Sequence, residues 1–277
     1  MTAYKAQMLA LTKKLDSDIK AIQSLVAPTI DSSANKRALM IGINYVGTPY
    51  QLNGCINDVA SMSAKLRSDY GFANITTLTD ETPVKPTRVN ILSEFTKLLV
   101  NAQSGDLLFV LYSGHGSNVI DKNGDEADGR DEMIITSDLK GILDDDLKAI
   151  IQANLKKDVT LFAMFDSCFS GTILDLRYQY LDSLNYDTFT ENDKQLETAG
   201  NVLMISGCTD NQTSADASIN SRYQGAMTWS MLQSLQPNIS WCDLLKNMRS
   251  ALKGSGFSQL PQMSSGRIVD ITGKVFL

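Results

Sequence analysis

Five short apolar runs, RALMIGINY (residues 37–45), NITTLT (74–79), DLLFVLYS (106–113), DVTLFAMFD (158–166) and NVLMISG (201–207), recur along this chain with helical spacing between them. Runs with so little polar alternation suit strands covered on both faces, whereas a half-solvated antiparallel sheet would alternate. The intervening segments carry helix punctuation. NDVASMSAKLRSDYG closes on Gly71, TRVNILSEFTKLLVNAQ follows Pro86, and LDDDLKAIIQANL opens with acids in its first turn. After the fifth run, GAMTWSMLQSL and SWCDLLKNMRSALKGSG read as two more helices, both ending at glycines. Strand and helix in alternation, without an internal repeat, predict a doubly wound α/β sheet.

Two regions stand outside that pattern. Residues 1–35 form an appendage, an amphipathic helix over about 5–26 and a polar link, APTIDSSAN, ahead of a domain spanning 36–277. Residues 176–199, LRYQYLDSLNYDTFTENDKQLETA, hold no sustained period and predict a long surface loop. A formal charge of −6 disfavours nucleic acid as a partner. No apolar run approaches the roughly 20 residues of a membrane span. Lysines and aspartates interrupt the N-terminus where an export signal would be apolar, so a cytoplasmic setting is expected. The four cysteines lack CxxC spacing, which argues against a zinc site or a disulfide framework and for reduced thiols.

The chain has one histidine, His115, in SGHGS just past the third run. Cys168 lies in DSCFSG just past the fourth. Sites in open α/β sheets form at the C-terminal edge of the strands, so if these two strands are neighbours the imidazole and the thiol meet there. The imidazole would take the thiol proton and the thiolate would attack a carbonyl. The amides of Gly116 and Cys168 are the natural donors to the resulting oxyanion. A lone histidine is more often structural, but Ser and Gly neighbours cannot build an apolar pocket around it. Cys208 and Cys242 fit the buried apolar role common for cysteine, whereas Cys168 has Asp166, Ser167, Ser170 and Gly171 about it. A cysteine phosphatase would need an arginine soon after the nucleophile, and the nearest, Arg177, lies beyond TILDL.

YSGHGS followed by DSCFSG resembles the histidine and cysteine signatures of the caspase-like clan, and specifically of the metacaspases. ALMIGINY, LNGCINDV, LDDDL, ISGCTDNQTSAD, GAMTW and PQMSSG resemble metacaspase segments in the same order, covering nearly all of the chain after residue 36. The resemblance implies a caspase-like α/β/α sandwich with a mostly parallel central sheet. It also implies a cysteine endopeptidase that cleaves protein or peptide substrates after Arg or Lys. His115 and Cys168 match the family's catalytic dyad. Asp58 and Asp166, with Cys55 and Ser113 beside them, match its pocket for the basic side chain. Two carboxylates suit a guanidinium or ammonium, whereas an aspartate-specific pocket would be cationic. Taken without the motif, Asp58 is equally a carboxylate stabilised at a helix N-terminus.

Asp131, Asp144, Asp145 and Asp175 match the family's activating calcium site, and oxygen-only ligation suits Ca2+. The alternative for DDD is a solvated helix start. Nearby, DKNGDEADGRDE (121–132) mimics an EF-hand loop, but Glu126 stands where the turn needs Gly and Asp128 where an apolar residue belongs, so it reads as an acidic loop beside the site. Phe169, after the nucleophile, departs from the histidine or other polar residue of many relatives. With no long prodomain or insert, the expected state is a monomeric, single-chain zymogen. Residues 1–35 would serve as a plug with Tyr4 or Lys5 near the pocket, and self-cleavage would fall at Arg177 or Lys194. Two other functions stay open: a catalytically silent caspase-fold scaffold or calcium-responsive binding protein, and a clan peptidase with another P1 preference.

Overall fold

A computed structural model describes residues 35–120, 130–168, 170–180, 189–192, 195–207, 216–219 and 222–276. The expected N-terminal helix and plug, Phe169, Lys194, Cys208 and positions 121–129 of the acidic loop lie outside the described residues. In chain order the elements are β1 (Lys36–Gly42), α1 (Cys55–Tyr70), β2 (Asn74–Thr79), α2 (Arg88–Val100), β3 (Leu107–Ser113), β4 (Gly116–Ile120), β5 (Arg130–Ile135), β6 (Gly141–Leu143), α3 (Asp144–Asn154) and β7 (Thr160–Asp166). They continue with β8 (Tyr178–Tyr180), β9 (Thr190–Glu191), β10 (Asn201–Ser206), β11 (Asp216–Ile219), β12 (Arg222–Gly225), α4 (Ala226–Ser234), α5 (Trp241–Gly254) and β13 (Gln262–Ser265).

The five apolar runs are β1, β2, β3, β7 and β10, and they pair in parallel in the order β2-β1-β3-β7-β10. Three antiparallel strands, β13, β8 and β9, extend the same sheet. Alternate residues of β1, β3, β7 and β10 face opposite helical layers, which is why those runs look uniformly apolar, whereas β2 is an edge strand exposed at Asn74 and Thr76 and is not covered on both faces as expected. Met40, Phe109 and Phe162 share a core with Met62 of α1, Met231 of α4 and Leu244 of α5, while Leu39, Val110 and Phe165 pack with Phe95 of α2 and Leu147 of α3. The result is an α/β/α sandwich around a mostly parallel sheet. Helix ends follow their punctuation: Thr87 accepts from the Asn90 amide at the start of α2, Ser240 accepts from the Asp243 amide at the start of α5, and Gly71 closes α1 at φ 73°.

Several segments differ from the sequence reading. The 176–199 region carries β8 and β9, because Tyr178 and Tyr180 are buried and extend the main sheet while a polar tip, Tyr178 Oη, donates to Glu197 at 2.7 Å. Helix α4 does not end at a glycine: it stops at Leu235, ahead of Pro237, which disfavours helical backbone in the residue before it. The segment after His115 forms a three-stranded antiparallel sheet, β4-β5-β6. The last place of the EF-hand mimic, Glu132, therefore lies in a strand and is buried.

Candidate active site

Strands β3 and β7 are neighbours, in a register that pairs Ser113 with Asp166. They end level, so His115 and Cys168 each follow that pair by two residues at one edge of the sheet. A Cβ on Gly116 would lie 1.9 Å from the Cys168 carbonyl oxygen, so only glycine lets the chain leaving His115 run against the chain at Cys168. That close approach puts the two proposed oxyanion donors, Gly116 and Cys168, on touching stretches of backbone. Cys55, Cys168 and Cys242 are thiols outside any disulfide.

Tyrosines hold the histidine. The His115 amide donates to Tyr45 Oη at 2.9 Å, Tyr112 Oη lies 2.7 Å from the His115 carbonyl as donor, and the Tyr45 ring tilts against the imidazole with centroids 4.7 Å apart. Tyr45 Oη also donates to the Ile135 carbonyl at 2.7 Å, tying this arrangement to β5. Burial pushes both phenols far above their ordinary pKa, so they stay neutral donors. The imidazole Nε2 sits 2.7 Å from the Tyr50 carbonyl. A carbonyl only accepts, so Nε2 carries the proton and Nδ1 is left as the basic nitrogen. The sequence reading missed these partners. A tyrosine ending an apolar run, in GINY and in VLYSGH, is the signal that could have found two of them, whereas Tyr50 acts through a main-chain atom that any residue would supply.

Cys55, Asp58, Ser113 and Asp166 come together around the end of β3. Cys55 opens α1 and Asp58 follows one turn later, fully buried. Ser113 Oγ donates to Asp58 Oδ2 at 2.7 Å, and the Gly225 amide donates to both Asp58 oxygens at 3.1 and 3.0 Å. Asp166 Oδ2 accepts from the Thr228 amide at 2.7 Å and from Thr228 Oγ1 at 2.8 Å, which caps α4 from another element where its own N-cap, Gly225, has no side chain to offer. A Cβ on Gly225 would stand 2.1 Å from Asp166 Oδ2 and 2.9 Å from Asp58 Oδ2, so the two buried carboxylates lie no farther apart than those lengths together. Gly225 and Thr228 were not singled out from the sequence.

Of the four acids matched to a cation site, three converge: oxygens of Asp131, Asp144 and Asp145 lie within 4.8 Å of one another. Asp175 stands outside that group and pairs with Lys148, Nζ to Oδ2 3.4 Å. Asp144 is only 1% exposed, which removes the solvated-helix-start alternative for it. Burial first, and then the charge of Asp175, raise its pKa to about 7, against the amides of Asp145 and Glu132 that bond its ionised form. A hard cation fits these three acids, whose donors are carboxylate oxygens gathered from β5 and α3.

The metacaspase peptidase C14 domain matches residues 36–177. The chain belongs to the metacaspase family. Metacaspase-1 of Kluyveromyces lactis is 36% identical to it over 86% of this chain and 67% of that protein. Metacaspase-1B of Aspergillus niger is 36% identical over 84% of this chain and 65% of its own length, and Metacaspase-1 of Saccharomyces cerevisiae 36% identical over 86% and 68%. The chain thus spans about two thirds of the length of these metacaspases. Among solved structures, the protein GSU0716 from Geobacter sulfurreducens superposes with a TM-score of 0.66 at 26% identity, covering 87% of this chain and 98% of that one. Caspase-1 from Spodoptera frugiperda shares the fold, with a TM-score of 0.55 at 12% identity over 90% of this chain and 97% of its own. Every acid, thiol and imidazole named above in the dyad, pocket and cation site falls inside the matched domain, whereas Gly225 and Thr228 lie beyond it. Among the described residues no helix is long and apolar enough to cross a membrane.

Proposed function

We propose that this metacaspase is a calcium-dependent cysteine endopeptidase that cleaves after Arg or Lys through His115 and Cys168. The observation that carries the reading is the level ending of β3 and β7, which brings the chain's one imidazole and a half-buried thiol to the same sheet edge. His115 Nδ1 takes the Cys168 proton, and the thiolate forms a bond to the scissile carbonyl carbon while the carbonyl π electrons move onto oxygen. The amides of Gly116 and Cys168 face that oxyanion. As the C–N bond breaks, the imidazolium returns its proton to the leaving amine, and water then hydrolyses the thioester with His115 as base.

Two buried carboxylates at close range, Asp58 and Asp166, favour a cationic P1 side chain over an acidic or neutral one. Asp131, Asp144 and Asp145, with Asp175 beside them, would hold Ca2+. The ion would offset their mutual repulsion and fix β5 against α3 below the active edge. The test is hydrolysis of fluorogenic peptides ending in Arg, Lys, Asp or Asn, with calcium and with chelator, for wild type beside Cys168→Ala and His115→Ala. Calcium-dependent cleavage after Arg and Lys by wild type alone is the expected result. Calcium-independent cleavage would keep the dyad and remove the metal from it. Silence under every condition would favour a caspase-fold scaffold.

A further inference from the structure

Lys148 follows Asp145 by three residues and Asp144 by four on α3, so all three share one helix face. Its ammonium lies 3.4 Å from Asp175 Oδ2 and 4.0 Å from Asp145 Oδ1, with the Lys148 side chain 18% and the Asp175 side chain 3% exposed. A lysine so placed supplies positive charge where the chain gathers several acids, and it links Asp175 to Asp145, a member of the group formed with Asp131 and Asp144.

We propose that Lys148 is the latch of the cation site, its ammonium standing between Asp175 and Asp145 as an internal counter-ion until a divalent cation displaces it. The inference rests on the calcium reading above and adds the residue that sets its threshold. A divalent ion entering within one side-chain length of a half-buried ammonium meets repulsion that bulk salt only partly screens. Relief comes from the flexible four-carbon stem, which lets the ammonium swing out to water and free the carboxylates of Asp175 and Asp145 for the ion. Calcium affinity is then a contest between the ion and Lys148, and removing the ammonium tightens binding.

The experiment is isothermal titration of Ca2+ into the full chain carrying Cys168→Ala, which prevents self-digestion, with and without Lys148→Met or Lys148→Arg. With the latch in place, Lys148→Met binds Ca2+ about tenfold tighter or more at about 0.15 M salt, and melts at a lower temperature in chelator, having lost its internal counter-ion. Lys148→Arg, which keeps the charge, stays near the parent affinity. Equal or weaker binding by Lys148→Met overturns the latch and leaves the calcium site standing. Absence of binding heat in every chain overturns the calcium site and the latch together. Lys148→Gln substitutes, with the same outcomes, if the methionine variant does not fold.

Discussion

Gly225 has no side chain, and two carboxylates occupy the space one would need. Its amide bonds both oxygens of Asp58, and a Cβ there would overlap Asp166 Oδ2 at 2.1 Å. Displacing Asp166 would break its two bonds from Thr228 inside a buried setting, so the pocket rather than the helix absorbs the change. Gly225→Ala is expected to raise KM for an Arg-ending peptide by about tenfold or more while Cys168 still reacts with iodoacetamide. Kinetics beside a thiol-labelling assay checks this, and an unchanged KM would contradict it. His115 and Cys168 were legible in the sequence because their chemistry is scarce and their neighbours are too small to bury them. Gly225 was not, since its role lies in what stands opposite it, and GAMTW read along the chain shows only the start of a helix.

At the scale of the element, α3 begins with a conflict. A helix N-terminus and two amide donors favour an ionised Asp144, yet burial and the nearby Asp175 win and lift its pKa to about 7. Between the ordinary carboxylate value and about 7, the folded chain keeps a proton that the unfolded chain has released, so stability falls as pH rises through that window. In chelator the melting temperature is therefore expected to be higher at pH 5.5 than at pH 8, by a margin that Asp144→Asn removes. A wild-type and variant pair with the same pH slope would show the carboxylate to be already compensated. The acids of LDDDL were visible in sequence, but their burial was not: helix periodicity says which residues share a face, and only the packing of β5 against α3 says that Asp144 is on the covered one.

Across the whole molecule, the strand that ends at the active edge is also the centre of the core. Phe162 of β7 is fully buried, with its ring 5.2 Å from Phe109, 4.8 Å from Trp241 and 5.6 Å from Phe276. Phe162→Ala is expected to cost about 3–5 kcal/mol and to lower the melting temperature by on the order of 10 °C, read by scanning calorimetry. A loss under about 1 kcal/mol would mean the neighbouring rings close the cavity. The sequence by itself determined the five parallel strands, the helices between them and the placing of an imidazole and a thiol at two strand ends, because apolar runs and helical spacing are local patterns written along the chain. Only the tertiary structure decided that β3 and β7 lie side by side in level register, that Tyr178 and Tyr180 extend the sheet from what reads as a polar loop, and that Lys148 lies between Asp175 and Asp145. Those facts depend on pairings between residues distant in sequence, and no local period records which strand, ring or charge a segment will meet.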